Sequence, residues 1–158
     1  MQDLDKLRQA VNVLNTEYAH CIDDDELERW PDFFAGDCEY QIIARENVEA
    51  GLPAAVIFCD SRGMLIDRIA ALRKANIYPA HTSRHLVGNC RITGTDGDVI
   101  RAESSYVVFQ TRSDGETRVF NAGKYVDEII QTGAGLKYRK RTCIYDTHRI
   151  QTLLVTPI

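Results

Sequence analysis

The chain has 158 residues, of which 44% are hydrophobic and 27% charged, and its formal net charge is −4. This composition is that of a globular protein with one domain over residues 1–158. Its acidic balance argues against a nucleic-acid binder, which normally presents a basic face. No apolar run approaches the roughly 20 residues that cross a bilayer, and residues 1–5 are unlike a signal peptide, so we expect a cytoplasmic protein with no membrane partner.

The first 22 residues predict an amphipathic helix of about five turns. Its apolar stripe consists of Leu4, Leu7, Val11, Leu14, Tyr18 and either Cys21 or Ile22. The acidic residues 23–26 end this helix, and one of their carboxylates can accept from the free backbone N–H groups that begin the next.

The following segments predict a short aromatic helix, two strands and a third helix. The aromatic segment contains Leu27, Trp30, Phe33 and Phe34. Pro31 limits regular helix there, and a turn at residues 36–37 leads into an alternating strand at residues 38–42. Residues 54–59 are typical of a short buried strand. Asp60 or Ser61 then caps a helix with the apolar residues Met64, Leu65, Ile69 and Leu72.

From residue 81 to residue 151 the sequence predicts a four-stranded antiparallel meander. Its breaks at residues 96–97, 114–115 and 133–135 each supply a glycine for the positive φ of a tight hairpin. The strands between them reach about 12 to 15 residues, against a usual length of about 5 or 6. Strands this long curl and leave a concave face to be covered. We therefore predict an α+β cone, in which N-terminal helices pack in the concave face of a curled antiparallel sheet.

The sequence offers few groups for metal or phosphate chemistry. It lacks G-x-S-x-G, a glycine-rich phosphate loop and H-E-x-x-H. Its five cysteines are scattered without a C-x-x-C pair, which indicates buried thiols in a reducing compartment rather than disulfides, zinc or an iron–sulfur cluster. His81 and His85 would lie about 13 Å apart on a strand, too far to share one metal ion. The basic residues 137–141 lie in a strand pattern and indicate a solvated or protein-contacting strand.

An acid–base site is one interpretation of the end of the first helix. A His–Asp or Tyr–Asp pair in a cone, drawn here from His20, Asp23, Tyr18 and Tyr40, can perform acid–base chemistry. The alternative is that the aromatic side chains fill the cone as core, which is their commoner fate.

Arg84 and His85 open a long strand after Pro79. An arginine at this position could clamp a substrate carboxylate. We interpret both residues instead as contacts to a neighbouring subunit, since they lie at the rim of the predicted sheet and arginine is enriched at protein interfaces.

Six short motifs occur in a recognisable order over nearly the full chain. They are W-P-D-F-F at residues 30–34, D-C-x-Y at 37–40, D-S-R-G-M-L-I-D-R-I at 60–69, R-H-L-V-G-N at 84–89, G-K-Y-V-D at 123–127 and the final P-I at 157–158. With them the chain resembles the small (β) subunits of Rieske-type aromatic-ring-hydroxylating dioxygenases. Residues 64–78 and 115–120 are most similar to small subunits of enzymes that act on aromatic acids, terephthalate above all. Salicylate, anthranilate and benzoate stay open as alternative substrates.

This resemblance implies a nuclear-transport-factor-2-like (cystatin-like) cone within a hexamer of three large (α) and three small subunits. It implies that the large subunit carries a 2Fe–2S Rieske cluster and a mononuclear Fe(II), and that a separate reductase delivers electrons from NAD(P)H. The small subunit would be structural, with no catalytic residue of its own, in an oxygenase that dihydroxylates a terephthalate-like aromatic carboxylate.

Two other functions stay open at this point. One is a stand-alone cone-fold lyase or isomerase that uses His20, Asp23, Tyr18 and Tyr40, and the other is a dimeric binding module. An enzyme needs an open cone with converging polar groups. A subunit needs a filled cone and an apolar or arginine-rich outer face.

Overall fold

The computed structural model describes residues 2–75, 81–146 and 156–158, which form one curled sheet with helices on its concave side. The elements are α1 (Gln2–Asp23), a 3-10 helix (Leu27–Phe33), β1 (Phe34–Ala44), α2 (Arg45–Glu49), β2 (Ile57–Cys59), α3 (Arg62–Ala75), β3 (His81–Val87), β4 (Arg91–Asp96), β5 (Val99–Arg112), β6 (Thr117–Thr132) and β7 (Gly135–Tyr145). This arrangement confirms the predicted α+β class.

The strands follow the order β2-β1-β7-β6-β5-β3, and β4 pairs with β5 beside this path. All pairs are antiparallel except β1 with β7, which is parallel. The sheet is therefore mixed rather than purely antiparallel. Hairpins make β6 antiparallel to both β5 and β7, whereas no hairpin joins β1 to β7, so this pair can be parallel.

The three predicted hairpins occur where glycine allows a positive φ. Gly97, Gly115 and Gly135 have φ values of 60°, 86° and 105°. The first predicted strand is divided, however, into β3 and β4. Both pair with β5, β3 along its second half and β4 along its first, and residues 88–90 connect them outside the strands.

The helical layer agrees with the predicted stripes in most positions. Val11 and Tyr18 of α1 are fully buried, whereas Leu4 is exposed. The Ser61 hydroxyl accepts from the backbone N–H of Met64 at 3.2 Å and caps α3, as one of the two predicted caps. The aromatic segment is a 3-10 helix because Pro31 lies inside it. Within the described residues, no helix has the length and apolar character needed to span a membrane.

Aromatic side chains fill the closed part of the cone. Trp30 packs edge-to-face on Tyr40 and Phe34, with centroid separations of 5.0 and 5.5 Å, and Tyr18 packs in the same way on Tyr138 at 5.5 Å. Each such pair contributes about 0.5–1.5 kcal/mol beyond area burial. These aromatic rings therefore form part of the core, as one of the two interpretations predicted.

Candidate functional site

A fully buried arginine lies at the centre of the cone. Arg141 Nε and Nη2 donate to the two carboxylate oxygens of Asp127 at 2.9 and 2.8 Å, and Nη2 also donates to Asn15 Oδ1 at 2.7 Å. Neither charged side chain has any exposed surface. Asp127 and Arg141 lie directly opposite each other on β6 and β7, while Asn15 comes from α1, so this cluster ties the first helix to the sheet.

Three tyrosine rings surround the Arg141 guanidinium. Its central carbon lies 4.4, 3.8 and 4.0 Å from the ring centroids of Tyr18, Tyr125 and Tyr138. Burial raises the pKa of all three phenols and outweighs the opposing effect of the guanidinium. Burial would lower the pKa of Arg141 itself, but Asp127 holds it well above its usual value. The cluster therefore contains a permanent cation, its carboxylate partner and neutral phenols.

The hydroxyls of Tyr18 and Tyr40 bind another part of the chain. Both donate to the main-chain oxygen of Ile158, at 2.8 and 2.9 Å, and the Ile158 N–H donates to the Tyr40 hydroxyl at 3.1 Å. Ile158 is 1% exposed. The two tyrosines considered as acid–base groups thus hold a residue of the protein in the place where a substrate would have to lie.

The structure pairs Asp23 with His85 and not with His20. His85 Nδ1 lies 2.6 Å from Asp23 Oδ1, and the backbone N–H of His85 donates to Asp23 Oδ2 at 2.7 Å. The side chains are 0% and 3% exposed. His20 is exposed on α1. The proposed acid–base set is therefore not assembled: Asp23 is bonded to His85 of β3, whereas the His20 side chain faces solvent.

His85 lies in a cross-strand row on the concave face. It is opposite Val108 on β5, which is opposite Asn121 on β6. Asn121 is fully buried, and its Oδ1 accepts from the Tyr106 hydroxyl at 2.6 Å. His85 Nε2 and Asn121 Nδ2 are both buried without a hydrogen-bond partner.

Arg84 and His85 point to opposite faces of β3. The Arg84 side chain is exposed, whereas His85 is buried against Asp23. The expectation that both residues contact a neighbouring subunit is thus corrected for His85, because successive residues of a strand alternate between faces. The Pro79 turn used in that argument lies outside the described residues.

Exposed apolar side chains are concentrated in one stretch of the described sequence. Six of the ten exposed large hydrophobic residues in the described part of the chain fall between positions 48 and 66, and they are Val48, Leu52, Val56, Phe58, Met64 and Ile66. We call this set the β2 surface. Phe58 and Met64 line a groove of about 470 Å³ between β2 and α3.

The described residues do not fit an iron–sulfur cluster or a mononuclear metal site. No three His, Cys, Asp or Glu side chains among them are grouped to hold a metal ion. All five cysteines are free and buried. Burial raises the pKa of Cys21 and Cys38 to about 11 and that of Cys143 to about 12, which suppresses the thiolate form that binds metals.

Sequence reasoning missed Arg141, Asp127 and Asn15. The pattern of residues 137–141 predicts a solvated or protein-contacting strand, yet alternation places Arg141 inward beside a carboxylate on the neighbouring strand. A signal was present, because Asp127 and Arg141 are equally far along the chain from Ala134 at the predicted hairpin.

Comparisons with known proteins agree with this fold. The family model described as ring hydroxylating beta subunit matches residues 17–152. The chain is 47% identical to the anthranilate 1,2-dioxygenase small subunit of Burkholderia cepacia, over 94% of this chain and 92% of that subunit. It is 36% identical to the β 2 subunit of the terephthalate 1,2-dioxygenase terminal oxygenase component of a Comamonas species, over 94% and 96%.

Comparison with solved structures also supports this fold. One from Novosphingobium aromaticivorans, described as the β subunit of an aromatic-ring-hydroxylating dioxygenase, has a TM-score of 0.90 and 57% identity, covering 98% of this chain and 99% of that one. The β subunit of benzoate 1,2-dioxygenase from Burkholderia mallei has a TM-score of 0.73 over 93% and 95% of the two chains. At 15% identity it supports the fold alone.

These matches and the cone define the class: an α+β protein with a curled, helix-covered sheet. Within that class, the chain belongs to the family of ring-hydroxylating β subunits, as its motifs indicated.

Proposed function

We propose that this chain is the non-catalytic small subunit of an oxygenase that dihydroxylates an aromatic carboxylate. The observation that carries the proposal is that the chain fills the tyrosine-lined end of the cone itself: Arg141 is paired with Asp127, and Tyr18 and Tyr40 hold Ile158. The tyrosines of the acid–base hypothesis are thus engaged within the chain, which leaves the outer surface to bind a partner. Family membership supplies the kind of complex.

The partner in this proposal is a large (α) oxygenase subunit, assembled as three large and three small chains. The large subunit would carry the 2Fe–2S Rieske cluster and the mononuclear Fe(II), with electrons from an NAD(P)H reductase. The lack of a suitable ligand group among the described residues supports this division. The buried free thiols support a cytoplasmic location.

The substrate class rests on the named relatives. Two of them are subunits of enzymes for anthranilate and terephthalate, both of which are ring carboxylates. Identity is higher to the anthranilate subunit than to the terephthalate subunit, so the comparisons do not favour terephthalate over anthranilate. We keep the class of aromatic acid, which the large subunit would select.

Arg84 and the β2 surface are the proposed contacts to the large subunit. Arg84 is an exposed cation on the outer face of β3, and the apolar β2 surface would be covered by a partner of the complex. Burying Arg84 at an interface requires a partner carboxylate or carbonyl, and breaking a buried ion pair from one side costs about 3–5 kcal/mol.

Co-expression with the large subunit from the same host tests this proposal. Arg84→Ala should shift the hexamer to smaller species in size-exclusion chromatography with light scattering, while turnover per intact complex stays near normal. Arg8→Ala, which removes an exposed arginine of α1, is the control and should assemble fully. If Arg84→Ala assembles fully but raises the Michaelis constant for the aromatic acid steeply, Arg84 binds substrate and the scaffold role is wrong.

A further inference from the structure

Two of the buried polar atoms that lack a protein partner within the described residues share one row of the sheet. They are His85 Nε2 and Asn121 Nδ2, on either side of Val108. A buried polar group without a hydrogen bond costs about 1–3 kcal/mol, so a polar guest is expected where two such groups face the same space.

The hydrogen-bonding character of each atom is fixed by its surroundings. Asp23 accepts the His85 backbone N–H at one carboxylate oxygen and lies 2.6 Å from Nδ1 at the other. A carboxylate accepts, so the neutral form of the His85 ring carries its hydrogen on Nδ1 and presents a lone pair at Nε2. Tyr106 donates to Asn121 Oδ1, which leaves the Nδ2 hydrogens to donate.

One acceptor and one donor therefore flank Val108. Their Cα atoms are separated by two strand spacings, about 10 Å, so one oxygen atom above Val108 can lie within reach of both side chains. That oxygen must donate to His85 and accept from Asn121, which is the pattern of a hydroxyl group. The ring of Tyr106, stacked on Tyr125 with centroids 4.3 Å apart, provides an aromatic wall beside it.

We propose that His85 and Asn121 form a binding site for the hydroxyl group of a small phenolic compound. Asp23 is a positioning residue that sets the tautomer of His85, and the aromatic wall packs against the ring of the guest. This site goes beyond the scaffold role and does not depend on it.

Fluorine NMR of the purified full-length chain tests the site with 4-fluorophenol and 4-fluoroanisole, which differ in the hydrogen of the oxygen. The phenol should bind saturably and about tenfold tighter than the ether, the scale of one buried hydrogen bond. Asn121→Leu should weaken binding of the phenol about tenfold. The control His20→Gln, which changes an exposed histidine, should bind the phenol as the parent does.

Asp23→Asn gives a sharper result because it reverses the polarity of the site. The backbone N–H of His85 takes the single amide oxygen, so the amide NH2 faces Nδ1 and Nε2 becomes an N–H donor. The preference should then shift from phenol to ether. The proposal is overturned if folded parent protein binds no phenol saturably, if phenol and ether bind equally, or if an ordered water bridges the two atoms and phenol does not displace it.

Discussion

The interior of the cone buries charged and polar groups, whereas the β2 surface exposes apolar ones. Inside, Arg141 and Asp127 are fully buried as a pair, with Asn15 and three tyrosines around them. Outside, Phe58 and Met64 are 48% and 41% exposed beside an apolar groove. The Arg141–Asp127 ion pair forms within one chain, whereas the surface gains stability only when a partner covers it. Variants in the two regions should therefore separate folding from assembly.

The largest effect is expected from Asp127→Asn. It leaves the Arg141 cation buried without its carboxylate and should lower the free energy of unfolding by about 3–5 kcal/mol, measured by chemical denaturation of the isolated chain. The double variant Asp127→Leu/Arg141→Met removes both charges and should recover most of this loss. A single variant within about 0.5 kcal/mol of the parent would show that the pair does not hold the interior together.

The two tyrosines that bind Ile158 should contribute unequally to the free energy of unfolding. Tyr40→Phe removes a donor to the Ile158 oxygen and the acceptor of its N–H, so it should cost about 1–3 kcal/mol. Tyr18→Phe removes one donor to an oxygen that Tyr40 still satisfies and should cost less. Thermal and chemical unfolding measure both, and equal losses would contradict this account of the Ile158 contacts.

On the surface, Phe58→Asp should change assembly and not folding. The stability of the isolated chain should stay within about 0.5 kcal/mol, while the fraction that joins the large subunit falls in light-scattering measurements. Val119→Asp is a matched control, because Val119 is 56% exposed and lies outside the β2 surface. Equal losses of assembly in both variants would show that the β2 surface has no special part in the complex.

The smallest effect is expected at His20. Since its side chain is exposed, His20→Ala should leave stability and the oxygen uptake of the assembled complex within a few-fold of the parent. A fall of about 10³-fold, the scale of lost acid–base catalysis, would restore a catalytic role for this histidine.

The features that could be predicted from the sequence are those that depend on residues close together along the chain. Gly97, Gly115 and Gly135 marked the hairpins because a positive φ strongly favours glycine, and the α1 stripe followed helical spacing. The parallel pairing of β1 with β7 could not be predicted, since no turn joins these strands. The Asp23–His85 contact was missed for the same reason: it joins a helix end to a strand 62 positions later.

The parallel pairing of β1 with β7 also constrains the order of events on the ribosome. Ile42 and Ile43 of β1 lie beside Cys143 and Ile144 of β7, so about a hundred residues must follow β1 before its edge is covered on that side. At synthesis rates of roughly 5 to 20 residues per second, the nascent chain presents this apolar strand for on the order of ten seconds. Until β7 emerges, β1 can pair with another nascent chain, and the yield of folded protein should depend on chaperone supply during translation.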